Sequence, residues 1–570
     1  MALSTGNNSI DSLVHSSWTA TPGQGVTLTY SYLTRVPTQA SIDDANGFQA
    51  MSSVERAAVV VALNAWAAVA NITFLQTAGT GDLLMGTNNQ GSTSSGYAYL
   101  PNGHGSTALY LNNAYFQNKT FEAGSFGLSV LIHELGHTLG LKHPGNYNST
   151  GGEVEGPFLP AATDNLDYTQ MSYEEGAGFQ LNPRYGVTPM IYDIAAIQYL
   201  YGANMRYRTG SDTYAFAQNA APQAIWDAGG VDTFDFSASS ARTIINLNAG
   251  TFSETAPGYK NISIAYNVTI ERAIAGSGGS TIYGNNAGNV IQGGRGADTI
   301  HLGTGNDTVT GGGGVDTVVF NKGFAGYALG GSKAALSVTG EGSDTLANIS
   351  VLQFSDRTID LSTYTAVHGG SAGADAFVAG AGNELFSGGG GLDSVRFASA
   401  SSNYSVKASG TEFSATDLQG TGGTDLLSGV ERLLFSDGQG IAFDFSGTAG
   451  QAFRLYQAAF NRTPDLAGLG FWMHWLDGGM DLREAARMFV GSEEMLTTYG
   501  QTSDQQFIVQ LYANVLHREP DAPGLALYIN AFANGGFTRA DALVVFSESA
   551  ENQAAIIGSI SNGITYTIFS

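Results

Sequence analysis

Between Ala275 and Val319 the chain repeats itself in units of nine residues: AGSGGSTIY, GNNAGNVIQ, GGRGADTIH, LGTGNDTVT and GGGGVDTVV. Few folds satisfy such a repeat. Six glycine-rich residues make a turn and three make a short strand with one inward apolar residue, namely Ile282, either Val290 or Ile291, Ile300, Val309 and Val318. Two units complete one coil, so turns two units apart stack on the same edge of a parallel β-roll. Asp298 is therefore expected above Asp316, with Asp307 on the opposite edge. These carboxylates, with turn carbonyls around Gly293, Gly296, Gly305 and Gly314, form oxygen cages of the kind calcium takes. Ser280 and Asn289 fill the acidic slot of the first two units, which predicts weaker or empty sites there. A flexible glycine linker would carry no such phase-locked aspartates and β-branched residues.

A shorter array, GSAGADAFV, AGAGNELFS and GGGGLDSVR, spans 370–396 and puts Asp375, Glu384 and Asp393 in the acidic slot. Asp375 and Asp393 join the expected calcium ligands. Each array is followed by a similar segment, Val351–Asp356 and Leu433–Asp437, read as duplicated β-sandwich pieces capping the rolls. Glycine turns cost backbone entropy, and stacked carboxylates repel until a divalent ion neutralises them, so calcium is expected to drive folding of this part. The net charge of −25 argues against nucleic acid as a partner and for cations. With no cysteine, stability cannot come from disulfides. No apolar run is long enough to span a bilayer, and the first eight residues lack the basic and apolar regions of a Sec-type signal.

The second constraint is His133-Glu134-Leu135-Gly136-His137-Thr138-Leu139-Gly140-Leu141-Lys142-His143. On a helix His133 and His137 project from one face, one turn apart. Leu128, Val130, Leu131, Leu135 and Leu139 supply an apolar stripe to bury that helix. Gly140 lets it stop and the chain reverse, so that His143 returns as a third ligand to one zinc ion. Glu134 stands beside the metal as a general base without ligating it. Upstream, an α+β pattern places a helix at Val54–Ala68, with Val54, Ala57, Ala58, Val61, Ala65 and Ala68 on its buried face. Strands are expected near Ile72–Leu75, Leu83–Met85, Tyr97–Leu100 and Ala108–Leu111.

Met171-Ser172-Tyr173 lies 28 residues beyond His143. With the histidine motif, Pro144-Gly145-Asn146-Tyr147-Asn148 and the run Tyr192–Asn204, it makes the chain resemble the metzincin zinc endopeptidases, specifically the serralysin family. The resemblance implies that Met171 floors the zinc site and that Tyr173 is a movable zinc ligand and catalytic residue. It implies peptide substrates, held along an edge strand at Gly96, Tyr97, Ala98 and Tyr99. Ile225–Asp235 matches a segment that holds two calcium ions in that family. The likeness assigns Arg208, Gly210, Asp227, Gly229 and Asp232 to one ion, and Gly230, Asp232, Thr269 and Glu271 to the other. Ser211 lengthens the loop before Asp212, which stays outside the implied set. Such repeats accompany export by type I secretion from Gram-negative bacteria. That implies an extracellular protein with a secretion signal in the last tens of residues, ending Thr565-Tyr566-Thr567-Ile568-Phe569-Ser570.

The C-terminal part is helical and duplicated. Leu455-Tyr456, Arg462-Thr463-Pro464-Asp465 and Gly468-Leu469 recur as Leu511-Tyr512, Arg518-Glu519-Pro520-Asp521 and Gly524-Leu525. This resembles a helical domain of unknown function found in secreted and surface-layer-associated bacterial proteins. The Arg/Asp pair is expected to fix a loop through a local salt bridge and a helix cap. The expected division is a protease at 1–205, a calcium-binding β-roll and β-sandwich at 206–445, and helices at 446–570. The expected function is a secreted zinc endopeptidase. The alternative is an envelope- or surface-layer-associated binding protein with secondary proteolysis.

Overall fold

Val26–Tyr32 (β1) is a central strand absent from the sequence expectation, although its V-T-L-T-Y-S-Y alternation carries the two-residue period of a strand. It pairs in parallel with Ile72–Gln76 (β2) and Leu83–Asn88 (β3). Thr107–Asn112 (β5) extends the sheet in parallel, and Gly96–Ala98 (β4) closes it antiparallel, giving the order β2-β1-β3-β5-β4. The computed structural model describes residues 5–38, 40–92, 94–103, 105–147, 155–409 and 412–569. Met1–Ser4 of the N-terminal segment, Asn148 of the run after the histidines, and Ser570 lie outside them.

The helices of this part are α1 (Asn8–Asp11), α2 (Ile42–Ala45), α3 (Ser53–Val69), α4 (Phe126–Thr138), α5 (Ala177–Leu181) and α6 (Ile191–Tyr201). Helix α3 corrects the expected buried face. Val54 and Val61 are 61 % and 52 % exposed, while Ala58, Ala62, Leu63, Trp66 and Val69 are buried. The helix is apolar almost all round, so periodicity could not choose a face. Trp66 chose it: its indole donates to the Ile132 carbonyl at 3.1 Å and fastens α3 to α4.

The roll forms at the expected register. Ser280–Tyr283 pairs in parallel with Thr299–His301, which pairs with Thr317–Val319; Val290–Gln292 pairs with Thr308–Thr310 on the other side. Ile291 is the inward residue of its strand, since it is buried and Val290 is 45 % exposed. The expected sandwich caps are instead further roll strands. Val351–Gln353 continues in parallel from Thr317–Val319, and Arg432–Leu434 from Ser394–Arg396. The strand before each also prolongs its roll: Ser343–Ala347 follows Thr308–Thr310 and Thr424–Ser428 follows Glu384–Ser387.

The chain folds as two compact units, 1–321 with 341–354, and 322–340 with 355–570. The boundary between them falls between the two arrays. The second unit holds the shorter array and helices α7 (Thr448–Phe460), α8 (Leu466–Asp477), α9 (Leu482–Val490), α10 (Glu493–Tyr499), α11 (Asp504–Leu511), α12 (Ala522–Ala533), α13 (Arg539–Ser547) and α14 (Ala550–Ile560). They share a core that includes Leu455, Phe489, Leu511 and Phe546. Asp465 and Asp521 cap α8 and α12, accepting from Gly468 N at 2.7 Å and Gly524 N at 2.6 Å. Arg462 and Arg518 lie 5.1 and 5.4 Å over the rings of Tyr456 and Tyr512. Arg462 is 3.7 Å from Asp465, whereas Arg518 reaches Glu551 at 3.7 Å. Ile564–Thr567 is a strand antiparallel to Gln439–Ala442.

Candidate metal centre

Helix α4 carries His133 and His137 on one face, and its end is held from three sides. Trp18 donates to the Thr138 carbonyl at 2.8 Å and the Tyr201 hydroxyl to the Leu139 carbonyl at 2.7 Å, which satisfies acceptors the helix leaves free. Beneath the helix, a Cβ added at Gly136 would lie 2.6 Å from the Met171 sulfur, so Met171 underlies the motif directly. Gly140 sits at φ +106°, and a Cβ there would lie 2.0 Å from the Ser16 carbonyl oxygen, so only glycine fits this reversal. His143 comes back beside the other two histidines.

The three Nε2 atoms lie 3.1–3.2 Å apart. His133 Nδ1 is 2.7 Å from the Gln170 carbonyl, and His137 Nδ1 2.7 Å from the Leu141 carbonyl. In His133 and His137 Nδ1 therefore holds the ring proton, and their Nε2 lone pairs face one another and His143 Nε2. Lone pairs at that separation repel unless a cation lies between them. Points about 2.0–2.1 Å from all three nitrogens, the ordinary zinc–imidazole distance, exist on either side of their plane. Burial and the neighbouring rings hold His137 neutral, down to about 3, and keep His143 far below its ordinary range; burial takes His133 to about 4. Neutral imidazole is the ligating form.

Glu134 is buried, its Oε2 has no partner, and burial pushes its carboxyl up to about 8. Such an orphaned carboxyl beside three imidazole nitrogens fits a site built for a cation and its water. Tyr173 is 46 % exposed, with its ring centroid 4.5 Å from that of His143. Two cavities meet at His133 and Glu134. The larger, about 950 Å³, is bordered by Gly96, Tyr97, Ala98 and Tyr99; the smaller, about 310 Å³, by Phe126, Leu166 and Tyr185.

The family described as Peptidase M10 serralysin C terminal matches residues 193–463, and a domain of unknown function, DUF4214, matches residues 486–556. Metallopeptidase AprA of Pseudomonas marginalis is 38% identical over 289 residues, 46% of this chain and 61% of the relative. Serralysin of Proteus mirabilis is 40% identical over 262 residues, covering 40% and 52% of the two chains. Serralysin C of Dickeya chrysanthemi is 39% identical over 290 residues, covering 46% and 60%. Over the matched residues the chain is similar to serralysins. It spans 52% to 61% of the length of these curated serralysins and metallopeptidases.

The acidic positions of the roll form ladders. Asp316 Oδ1 accepts from Asp298 N at 2.9 Å, and Asp307 Oδ1 from Asn289 N at 2.7 Å. The ladders continue through residues the sequence did not single out: Asp344 accepts from Asp307 N, Asp425 from Glu384 N, and Glu431 from Asp393 N, at 2.8–3.0 Å. Asp393 in turn accepts from Asp375 N at 2.7 Å. One oxygen of each of Asp298, Asp307, Asp316 and Asp393 is buried without a partner, which suits a cation between the turns. Gly293, Gly296, Gly305 and Gly314 lie in these stacked turns; a Cβ at Gly293 would meet the Gly311 carbonyl oxygen at 1.9 Å.

At the junction, Asp212 belongs with Asp227 and Asp232, all three offering oxygens within 4.8 Å of one another. The additional Ser211 does not remove Asp212, which donates its N–H to Asp232 at 2.8 Å. Glu271 accepts from Asp232 N at 2.8 Å, while Thr269 is exposed nearby in the chain. Gly210 and Gly230 touch backbone to backbone, and Gly229 and Gly230 have φ of +132° and +149°. The Arg208 guanidinium lies 3.5 Å from Asp212, so only the Arg208 carbonyl could serve a cation.

Proposed function

We propose that the chain is a zinc-dependent endopeptidase in which His133, His137 and His143 hold one zinc ion. The convergence of the three Nε2 atoms beside the buried Glu134, whose Oε2 has no partner, carries this reading. When bound, zinc supplies Lewis-acid polarisation and acidifies water. Glu134 takes the proton of the attacking water and returns it to the leaving nitrogen. Tyr173, at the rim beside His143, donates a hydrogen bond to the substrate oxygen as it gains charge. The outer edge of β4 holds the substrate backbone, leaving selectivity to the flanking cavities. Chelation by 1,10-phenanthroline should abolish casein cleavage, and zinc should restore it.

The roll carboxylates, Asp298, Asp307, Asp316, Asp375 and Asp393 with Asp344, Asp425 and Glu431, hold calcium on this reading, as do Asp212, Asp227, Asp232 and Glu271 at the junction. Calcium binds after export through a type I secretion apparatus, and the protein acts outside the cell. Among the described residues no helix is long and apolar enough to cross a membrane.

A further inference from the structure

Strand β4 is three residues long, begins with glycine, and is bonded on one side only. Nothing intrinsic would keep so short an edge straight. Tyr99 N donates to the Ala108 carbonyl and Asn112 N to the Ser95 carbonyl, so residues 95 and 99 face β5. By the two-residue period of an antiparallel pair, the backbone of Ala98 faces the open edge. A Cβ on Gly96 would lie 3.1 Å from both Cγ and Oε1 of Glu134, so the strand runs immediately beside the candidate base.

The opposite face of β4 is tied to one carboxylate. Asp44 Oδ1 accepts from the Tyr97 hydroxyl at 2.7 Å and the Tyr99 hydroxyl at 3.0 Å. Its Oδ2 accepts from Ser41 N at 3.0 Å, while the Ser41 hydroxyl accepts from Asp44 N, a capping box that fixes Asp44 on α2. Asn88 donates to the Tyr97 hydroxyl at 2.7 Å, and the Tyr97 ring lies 5.4 Å from that of Tyr110 on β5. Asp44 is buried and has no contact with the histidines in this network.

We propose that Asp44 is a positioning residue for substrate: through Tyr97 and Tyr99 it clamps β4 so that the outward backbone of Ala98 is set for pairing with an extended peptide. The proposal rests on the peptidase reading of the cleft. Two hydroxyls on one carboxylate bracket residue 98, and charge-assisted bonds of this kind are strong enough to hold a strand that its own ladder does not.

The test uses the full chain carrying Glu134→Gln and a fluorescein-labelled, oxidised insulin B chain, with affinity read by anisotropy. Asp44→Asn should weaken binding by about tenfold. The double variant Tyr97→Phe, Tyr99→Phe removes only the two hydroxyls and should weaken binding equally. Combining it with Asp44→Asn should add nothing. With Glu134 intact, the same changes should raise KM for the long peptide more than for a blocked dipeptide amide. Unchanged affinity in the double variant, or an equal loss with the dipeptide, would overturn the clamp. Because affinity is read without turnover, a failure there tells on the clamp, whereas cleavage surviving in Glu134→Gln tells on the peptidase reading.

Discussion

The Gln170 carbonyl lies 2.7 Å from Nδ1 of His133, and this contact ties the turn at Met171 to the helix that carries the first two histidines. The turn is itself anchored. Asp193, on α6, accepts from Gln170 N at 2.7 Å, from Met190 N at 2.8 Å and from the Thr169 hydroxyl. Gln170 also accepts from the Ser129 hydroxyl of α4 at 2.9 Å. The orientation of one histidine thus depends on a carboxylate two elements away.

Asp193→Ala should therefore leave the helix in place but loosen the turn that orients His133. Zinc affinity should fall by about 10–100-fold, the usual cost of losing such support. Competition with a chromophoric chelator measures it, and an unchanged affinity would show that the turn holds itself.

In the metal-free protein the centre should respond to pH in two opposed ways. His133 and His137 bind protons near 4 and 3 when folded, against 6.5 when unfolded, so the unfolded chain takes up more protons as pH falls. Their contribution is present above about 6.5 and is lost on acidification towards 4. Glu134 runs the other way, from 4.5 unfolded to about 8 folded, so its burial costs stability as pH rises through that window. Glu134→Gln should flatten the alkaline side of a metal-free stability profile and leave the acid side unchanged. Chemical denaturation between pH 4 and pH 8 would show it.

The ladders predict a calcium-dependent inversion. Burial pushes Asp298 and Asp307 up to about 6 and Asp425 up to about 7, against an ordinary 3.8. Without calcium the folded chain holds the extra protons, so stability should fall as pH rises from about 4 to about 6–7. With calcium the carboxylates must be ionised, so stability should rise over the same range. Thermal melts with calcium and with a calcium chelator should slope in opposite directions.

Much of this was legible in the sequence because local rules and the fold agreed. The histidine motif, the reversal at Gly140 and the register of the 18-residue coil all depend on residues close in the chain. Asp344, Asp425 and Glu431 were not legible for one physical reason. The chain makes a hairpin before returning to the roll, so their ladder partners lie 37, 41 and 38 residues away and the nine-residue period is broken. The face of α3 failed differently: in a helix apolar on most sides, the fit of Trp66 against α4 decides, and no periodicity records it.

The duplicated caps supply a stability test in the helical part. Removing Asp465 or Asp521 frees a helix-end N–H that each now satisfies. Asp465→Ala and Asp521→Ala should each cost about 1 kcal/mol, read as a lower denaturation midpoint, with peptide cleavage unaffected.

The most direct measurement pairs metal content with peptide cleavage for the wild-type chain, Glu134→Gln and His143→Ala. The account predicts one zinc per wild-type chain with cleavage, one zinc without cleavage for Glu134→Gln, and loss of both for His143→Ala. Wild-type cleavage by Glu134→Gln, or a wild-type chain that takes up zinc and hydrolyses no peptide, would contradict it.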